Sequence, residues 1–258
     1  MISNTHRWSR NVSRWKAAVI HLAISLALAM TIGIILYCLW FPPPYFVAAG
    51  ASRLLLVLMG VDICIGPLLT LLAANPRKSQ RLLKLDLSII AVLQALAFGY
   101  GIHAIAITRP IFVVAEADRF ILVSADEISD ADLAQGRQPA FRSRSWAGPR
   151  LVGAIPPGGD EGGMLALSVM EGGKDIDRLP RYYVAYERVV EKFMRHAKTL
   201  DQLTKATAEQ RRQLERLQTT TGEGPLLALP LQRGDKDFTA ILSPRTRKPV
   251  RILALDSW

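Results

Sequence analysis

Residues 17–41 read AAVIHLAISLALAMTIGIILYCLWF, 25 consecutive positions with no charged side chain apart from titratable His21. At about 1.5 Å rise per residue, a helix of this length crosses the roughly 30 Å hydrocarbon core of a bilayer. Two further apolar stretches follow. Residues 54–74 are interrupted only by Asp62, and residues 85–107 carry Asp86, Gln94 and His103. The sequence therefore predicts an integral membrane protein. A short N-terminal segment (1–16) leads into three transmembrane helices (17–41, 54–74 and 85–107), followed by an α+β extracytoplasmic domain over 108–258.

Composition agrees with this division. Half of the 258 residues are hydrophobic and 21% are charged. That is too apolar for one ordinary soluble domain and too charged for a multi-span carrier. Nine of the 32 basic residues and two of the 22 acidic ones fall in 1–107, so +7 of the formal +10 belongs to the helical half. This basic excess sits in two clusters, Arg7, Arg10, Arg14 and Lys16 before the first span, and Arg77, Lys78, Arg81 and Lys84 between the second and third. The 42–53 link has only Arg53. The positive-inside bias places both clusters in the cytoplasm and the domain after 107 outside. The charge thus reads as an orientation signal and gives no reason to expect nucleic acid as a partner. A cleaved leader ending at Val47-Ala48-Ala49 is the competing reading of the first stretch, but its apolar run far exceeds the usual 7–15 residues of a leader core. Cys38 and Cys64 both lie within spans, so neither a disulfide framework nor a paired-cysteine metal site is expected.

Polar side chains inside the spans are the candidate functional residues. A carboxylate such as Asp62 costs about 2.5–3.5 kcal/mol at the centre of a span, and the surrounding Leu, Val and Ile residues supply roughly −4 to −7 kcal/mol on the same scale. The helix can absorb the cost, but the carboxylate needs a partner. Asp62 lies about 12 Å from the outer end of its span, and Gln94 comes within about one turn of the same depth, so a hydrogen bond between the two is expected. His21 and Asp86 share a depth near the cytoplasmic side. These groups either bind the three helices together or present Asp62 to another membrane protein; proton transfer would need a longer chain of titratable groups. Ser25, Ala29 and Gly33 in the first span, and Ala91, Ala95 and Gly99 in the third, form close-approach rows. Gly66-Pro67 should kink the second span, with Thr70 bonding back to a freed carbonyl.

Beyond 107, a β-hairpin is predicted from 111–114 and 119–124 around Glu116–Asp118, and a short helix within 126–135. Residues 136–163 read as an irregular loop in which Gly158–Gly163 is a flexible turn. A strand is expected at 164–170, an apolar helical stripe at 182–198, and a helix restarting at a Thr199/Gln202 capping box and running to about 218. That last helix is mostly charged and reads as a solvated surface helix or a weak partner seam. A small antiparallel sheet follows at 226–231, 239–242 and 250–255, with Arg233-Gly234-Asp235 as turn chemistry. Tyr182, Tyr183 and Tyr186 are either a binding face or core aromatics. The four histidines are scattered and no nucleophile elbow or paired-histidine motif occurs, so no enzyme, cofactor or metal is expected.

The ordered set of local motifs resembles the TfpX/TfpZ family of type IV pilin accessory proteins from Gram-negative bacteria. The resemblance rests on Ser13-Arg14-Trp15-Lys16-Ala17, Gly60-Val61-Asp62, Gly66-Pro67-Leu68-Leu69-Thr70, Asn75-Pro76 with Lys78, Asp86-Leu87, Gln94 and Tyr100-Gly101. It continues through Arg109-Pro110, Asp118-Arg119-Phe120 and the closing Leu255-Asp256-Ser257-Trp258, where the family more often has Pro at the position of Ser257. The resemblance implies an inner-membrane, chaperone-like helper that stabilises type IV pilin or promotes its assembly into pili, without enzymatic activity. Asp62, Gly66, Pro67, Thr70, Asp86 and Gln94 are then the candidate pilin-contact or intramembrane polar residues. Arg109, Pro110, Asp118 and Arg119 mark the junction between membrane and domain. The expected partners are the pilin, by its membrane helix or its periplasmic head, and the lipid bilayer. A membrane-tethered envelope sensor or scaffold with a ligand-binding outer domain is the alternative; it requires a cytoplasmic output that 1–16 hardly provides.

Overall fold

The computed structural model describes residues 14–73, 79–203, 206–221 and 224–255. Arg7, Arg10, Ser13, Asn75-Pro76, Arg77-Lys78 and Asp256–Trp258, which carry part of the charge and motif readings, lie outside the described residues. The chain forms two units. One runs to Leu36 and resumes over Ser52–Ala106; the other takes Tyr37–Ala51 and the chain from Ile107 onward.

The first unit consists of three helices, α1 (Arg14–Leu39), α2 (Ala51–Ala73) and α3 (Gln80–Thr108), each long and apolar enough to cross a membrane. Their outward side chains, such as Leu56, Leu72 and Leu96, are exposed in the isolated chain, as lipid-facing residues are. The close approaches at Gly33, Gly66 and Gly101 all involve α2. Ser25 and Ala29 of α1 are buried, and a Cβ on Gly33 would strike the Met59 side chain, so this small-residue row packs on α2. Gly101 of α3 similarly leaves room for Leu58. The second row differs: Ala91, Ala95 and Gly99 are exposed.

The second unit is built on one mixed sheet. After α3 come β1 (Pro110–Glu116), β2 (Arg119–Ser124), α4 (Asp130–Ala134), β3 (Arg150–Ala154) and α5 (Gly159–Met170). The chain continues through β4 (Tyr183–Ala185), α6 (Val190–Met194), β5 (Lys198–Thr199), α7 (Ala208–Thr221), β6 (Leu227–Arg233), β7 (Lys236–Leu242) and β8 (Pro249–Leu253). The strand order is β4-β3-β1-β2-β6-β7-β8, with β5 also paired to β6. β1–β2, β6–β7 and β7–β8 are antiparallel, whereas β1–β3 and β2–β6 are parallel. The parallel β2–β6 pairing joins the hairpin and the C-terminal strands into one sheet, where local patterning suggested two separate pieces. β1 occupies the interior of this sheet, and Ile111–Val114 are fully buried, as expected of a strand covered on both faces.

Three local expectations are corrected. Residues 164–170 are helical, because α5 begins at Gly159, behind Gly158 at the N-cap, and carries Asp160 and Glu161 in its first turn, which favours the helix dipole. Gly158–Gly163 is thus the start of this helix; Gly162 lies against the Pro157 carbonyl, where a Cβ would come within 2.5 Å. The 182–198 stripe does not make one helix. Tyr183–Ala185 pair with β3, and only 190–194 are α-helical, so sheet pairing overrides the local period. Residues 136–163 also contain β3. The three tyrosines are core residues: Tyr183 is fully buried, and Tyr186 donates from Oη to the Arg247 carbonyl at 2.6 Å.

The Thr199/Gln202 capping box is present but caps a single 3-10 turn; α7 starts later, behind a second reciprocal pair of Thr207 and Gln210. Leu214 of α7 is buried with Leu203, Leu226 and Ile241, so this charged helix docks by one residue face and is solvated elsewhere.

Arg233, read from sequence as part of a turn, ties this unit together. Gly234 does adopt a left-handed turn conformation (φ 54°). The Arg233 guanidinium, however, donates to the carbonyls of Ala48 and Thr108, both at 3.2 Å, and to Ser124 Oγ at 3.5 Å. One side chain thus holds the 37–51 segment, the end of α3 and the end of β2. Burial lowers its pKa below the ordinary arginine value, opposed by Glu127 and Asp126. Arg233→Met should remove a charged donor from each of these carbonyls and cost about 1–3 kcal/mol. The loss would appear as a lower thermal midpoint and earlier proteolysis in the 42–50 segment of detergent-solubilised protein; an unchanged midpoint would contradict this role.

Candidate functional site: a polar-floored groove between two membrane helices

α2 and α3 enclose a groove of about 500 Å³ whose wall is almost entirely aliphatic and aromatic. Arg53 stands at one end, Val61 and Phe98 line the wall, and Asp62 and Gln94 supply the polar groups. Gln94 Nε2 donates to Asp62 Oδ1 at 3.0 Å and lies 3.5 Å from the Asp62 carbonyl oxygen. The expected interhelical bond is therefore formed. Gly66, one turn after Asp62, permits it, because a Cβ there would occupy the position of the Gln94 amide. Sequence reading assigned Gly66-Pro67 to a kink; the glycine also provides clearance. Pro67 lies inside α2, where it removes one helical hydrogen bond.

Thr70 and His21 form a second polar contact. Thr70 is buried, and its Oγ1 lies 2.6 Å from His21 Nδ1. The hydroxyl thus meets α1 in place of the predicted back-bond, and gives the His21 ring a partner on α2. Asp86 is partly buried on α3. Asp62, Gly66 and Gln94 consequently form one site, whereas Thr70 belongs to the α1–α2 contact.

The four junction residues lie in the second unit and form two separate groups. The Arg109 guanidinium lies 5.2 Å from the Trp40 ring centre and 5.6 Å from that of Trp146, and donates to the Ser145 carbonyl at 3.3 Å. Burial, then the nearby Arg144, lowers its pKa. Pro110 opens β1 opposite Ser124. Asp118 and Arg119 pair at 3.0 Å in the hairpin turn, and Arg119 reaches Gln232 Oε1 at 3.4 Å. The Arg119 hydrogen bond lowers the Asp118 pKa and the same bond raises that of Arg119. Both side chains are nearly half exposed, so the pair adds little to stability.

Sequence reasoning missed one further site. Glu116, Asp175 and Ile176 line a cavity of about 450 Å³ beside α5. Glu116 Oε2 is buried without a hydrogen-bond partner among the described residues. Burial first, then the charges of Asp175 and Asp177, push the Glu116 pKa up to about 8 against the pull of Arg119. Asp177, also buried, is pushed up to about 6. Nothing local distinguishes Glu116 from an ordinary turn acid; the tertiary crowding does. Among the described residues, no group of His, Cys, Asp and Glu is placed to hold a metal ion.

A family model described as "Fimbrial assembly protein FimB" matches residues 9–50. The "Fimbrial assembly protein, serogroup I" of Dichelobacter nodosus is 33% identical over 187 residues, covering 72% of each chain. The serogroup E1 protein of the same organism is 31% identical over 201 residues, 78% of each chain. The protein of serogroups C1 and C2 is 35% identical over 120 residues, covering 46% of this chain and 92% of its own length. No solved structure matches the chain.

Two outcomes follow from these geometries. In a double-mutant cycle, Asp62→Ala and Gln94→Ala should be coupled by about 0.6–2 kcal/mol, read from unfolding in micelles, and Gly66→Val should mimic the loss of the bond; additive effects would contradict the contact. Glu116 is protonated in the fold at pH values where the unfolded carboxyl is ionised. Its stabilising contribution is therefore complete below the ordinary carboxylate range and is lost as pH rises toward about 8. The thermal midpoint should fall over that interval, and Glu116→Gln should flatten the slope.

Proposed function

This chain belongs to the fimbrial assembly protein family, and from that premise we propose that it takes part in fimbrial assembly as an inner-membrane accessory of the TfpX/TfpZ type. In this reading it acts as a chaperone-like helper, stabilising a type IV pilin or promoting its assembly. The N-terminus is cytoplasmic and the second unit periplasmic. Lys16, Arg81 and Lys84 lie at one set of helix ends, against Arg53 in the link between α1 and α2, and this asymmetry supports that orientation. The partners are the lipid bilayer and the pilin, with no nucleic acid.

The groove between α2 and α3 carries the proposal. A pilin awaiting assembly is held in the membrane by one apolar helix, typically with a glutamate near its start, a group expensive to leave in lipid. The groove offers such a helix an aliphatic wall and, at Asp62–Gln94, hydrogen-bonding groups inside the hydrocarbon layer. Gln94 donates to one carboxyl oxygen of Asp62, and the second oxygen can accept from another donor. In such a setting an interhelical hydrogen bond is worth about 0.6–2 kcal/mol, so close packing must supply most of the affinity.

The test is a pull-down of pilin on the tagged accessory protein. Asp62→Leu should lower pilin recovery while the accessory protein itself accumulates normally. Unchanged co-purification would remove the groove from the mechanism. Normal piliation and normal pilin levels after deletion of the gene would remove the assembly role.

A further inference from the structure

Trp146 serves neither the groove nor the sheet. It is 75% exposed, so in water its ring would forgo most of the free energy available from burial. Its position is nevertheless closely fixed. The Gly148 N–H donates to the carbonyl of Leu39, the last residue of α1, at 2.5 Å. Gly148 has φ +64°, and a Cβ there would stand 2.6 Å from Pro42 Cγ. Both the backbone conformation and the close approach therefore require glycine, and they hold this loop against the chain leaving α1. The Trp146 and Trp40 ring centres are 6.4 Å apart, with Arg109 within cation–π distance of both. Trp40 follows α1 directly, and Arg109 follows α3 directly. The exposed ring is thus tied to the points where two membrane-length apolar helices end.

Tryptophan is favoured at the headgroup level of a bilayer, where an apolar ring and a polar N–H are both accommodated, and arginine carries its charge to the same level on an apolar stem. We propose that the 145–148 loop is a bilayer-interface anchor, with Trp146 inserted among the phospholipid headgroups of the leaflet from which the second unit emerges. Lipid is the occupant because the loop is continuous with the ends of α1 and α3. A protein partner would have to displace lipid from both helix ends to reach the ring. The anchor sets the depth of the loop and of the α1 terminus to which Gly148 is bonded. It rests on the helices spanning a bilayer and is independent of the pilin reading.

Fluorescence of the full chain and of Trp146→Phe, each in phosphatidylcholine nanodiscs, isolates the Trp146 emission by difference. With lipid brominated on the acyl chains near the headgroup, this difference emission should lose most of its intensity. It should be blue-shifted from that of water-exposed indole and little quenched by aqueous iodide. Emission at the water-exposed wavelength, quenched by iodide and indifferent to brominated lipid, would overturn the proposal. Should Trp146→Phe fail to assemble, a variant keeping Trp146 as its sole tryptophan, with Trp8, Trp15, Trp40 and Trp258 changed to Phe, gives the same two readings directly. Pilin recovery on the Asp62→Leu protein has no bearing on either result.

Discussion

A carboxylate placed in hydrocarbon must be hydrogen-bonded, and the helical unit is organised around that requirement. Asp62 is met by Gln94, whose amide occupies the space that a side chain on residue 66 would fill. The same helix supplies Thr70 to His21 and the side chains that fill the spaces at Gly33 and Gly101. α2 is therefore the common partner of α1 and α3. Lipid tails are as apolar as leucine, so hydrophobicity alone cannot select these contacts. Close approach at glycines and a few polar bonds select them instead.

The second unit faces a comparable demand at its edge. The 37–51 segment buries Phe41, Ala48, Ala49 and Ala51 in this unit. Its backbone still needs donors away from regular secondary structure, and Arg233 provides one at Ala48. The parallel pairing of β2 with β6 places the β6–β7 turn within reach. A side chain that looks like turn chemistry in the sequence is therefore a buried brace in the fold.

Long apolar runs with few polar interruptions made the three helices legible, and charge asymmetry suggested how they face the membrane. The Asp62–Gln94 bond was also legible, because depth along a straight helix follows from residue count alone. The His21 partner was not, since helices of similar depth can rotate, and Thr70 offered a hydroxyl on the facing side. In the second unit, hairpins with local turns were visible from alternation. The helix at 159–170 and the strand at 183–185 were misread, because glycine content and a short apolar period are both ambiguous until sheet neighbours are known.

The sequence alone determined that there are three membrane-length helices, a carboxylate among them that needs a partner, and a sheet domain after them. These depend on composition and spacing along the chain, which local physics reads directly. Only the tertiary structure decided that Gly66 makes way for Gln94, that Arg233 joins three segments, that Glu116 holds its proton, and that Trp146 is fixed beside the end of α1. Each of these depends on the distance between residues far apart in the chain, and such distances are fixed only when the elements pack.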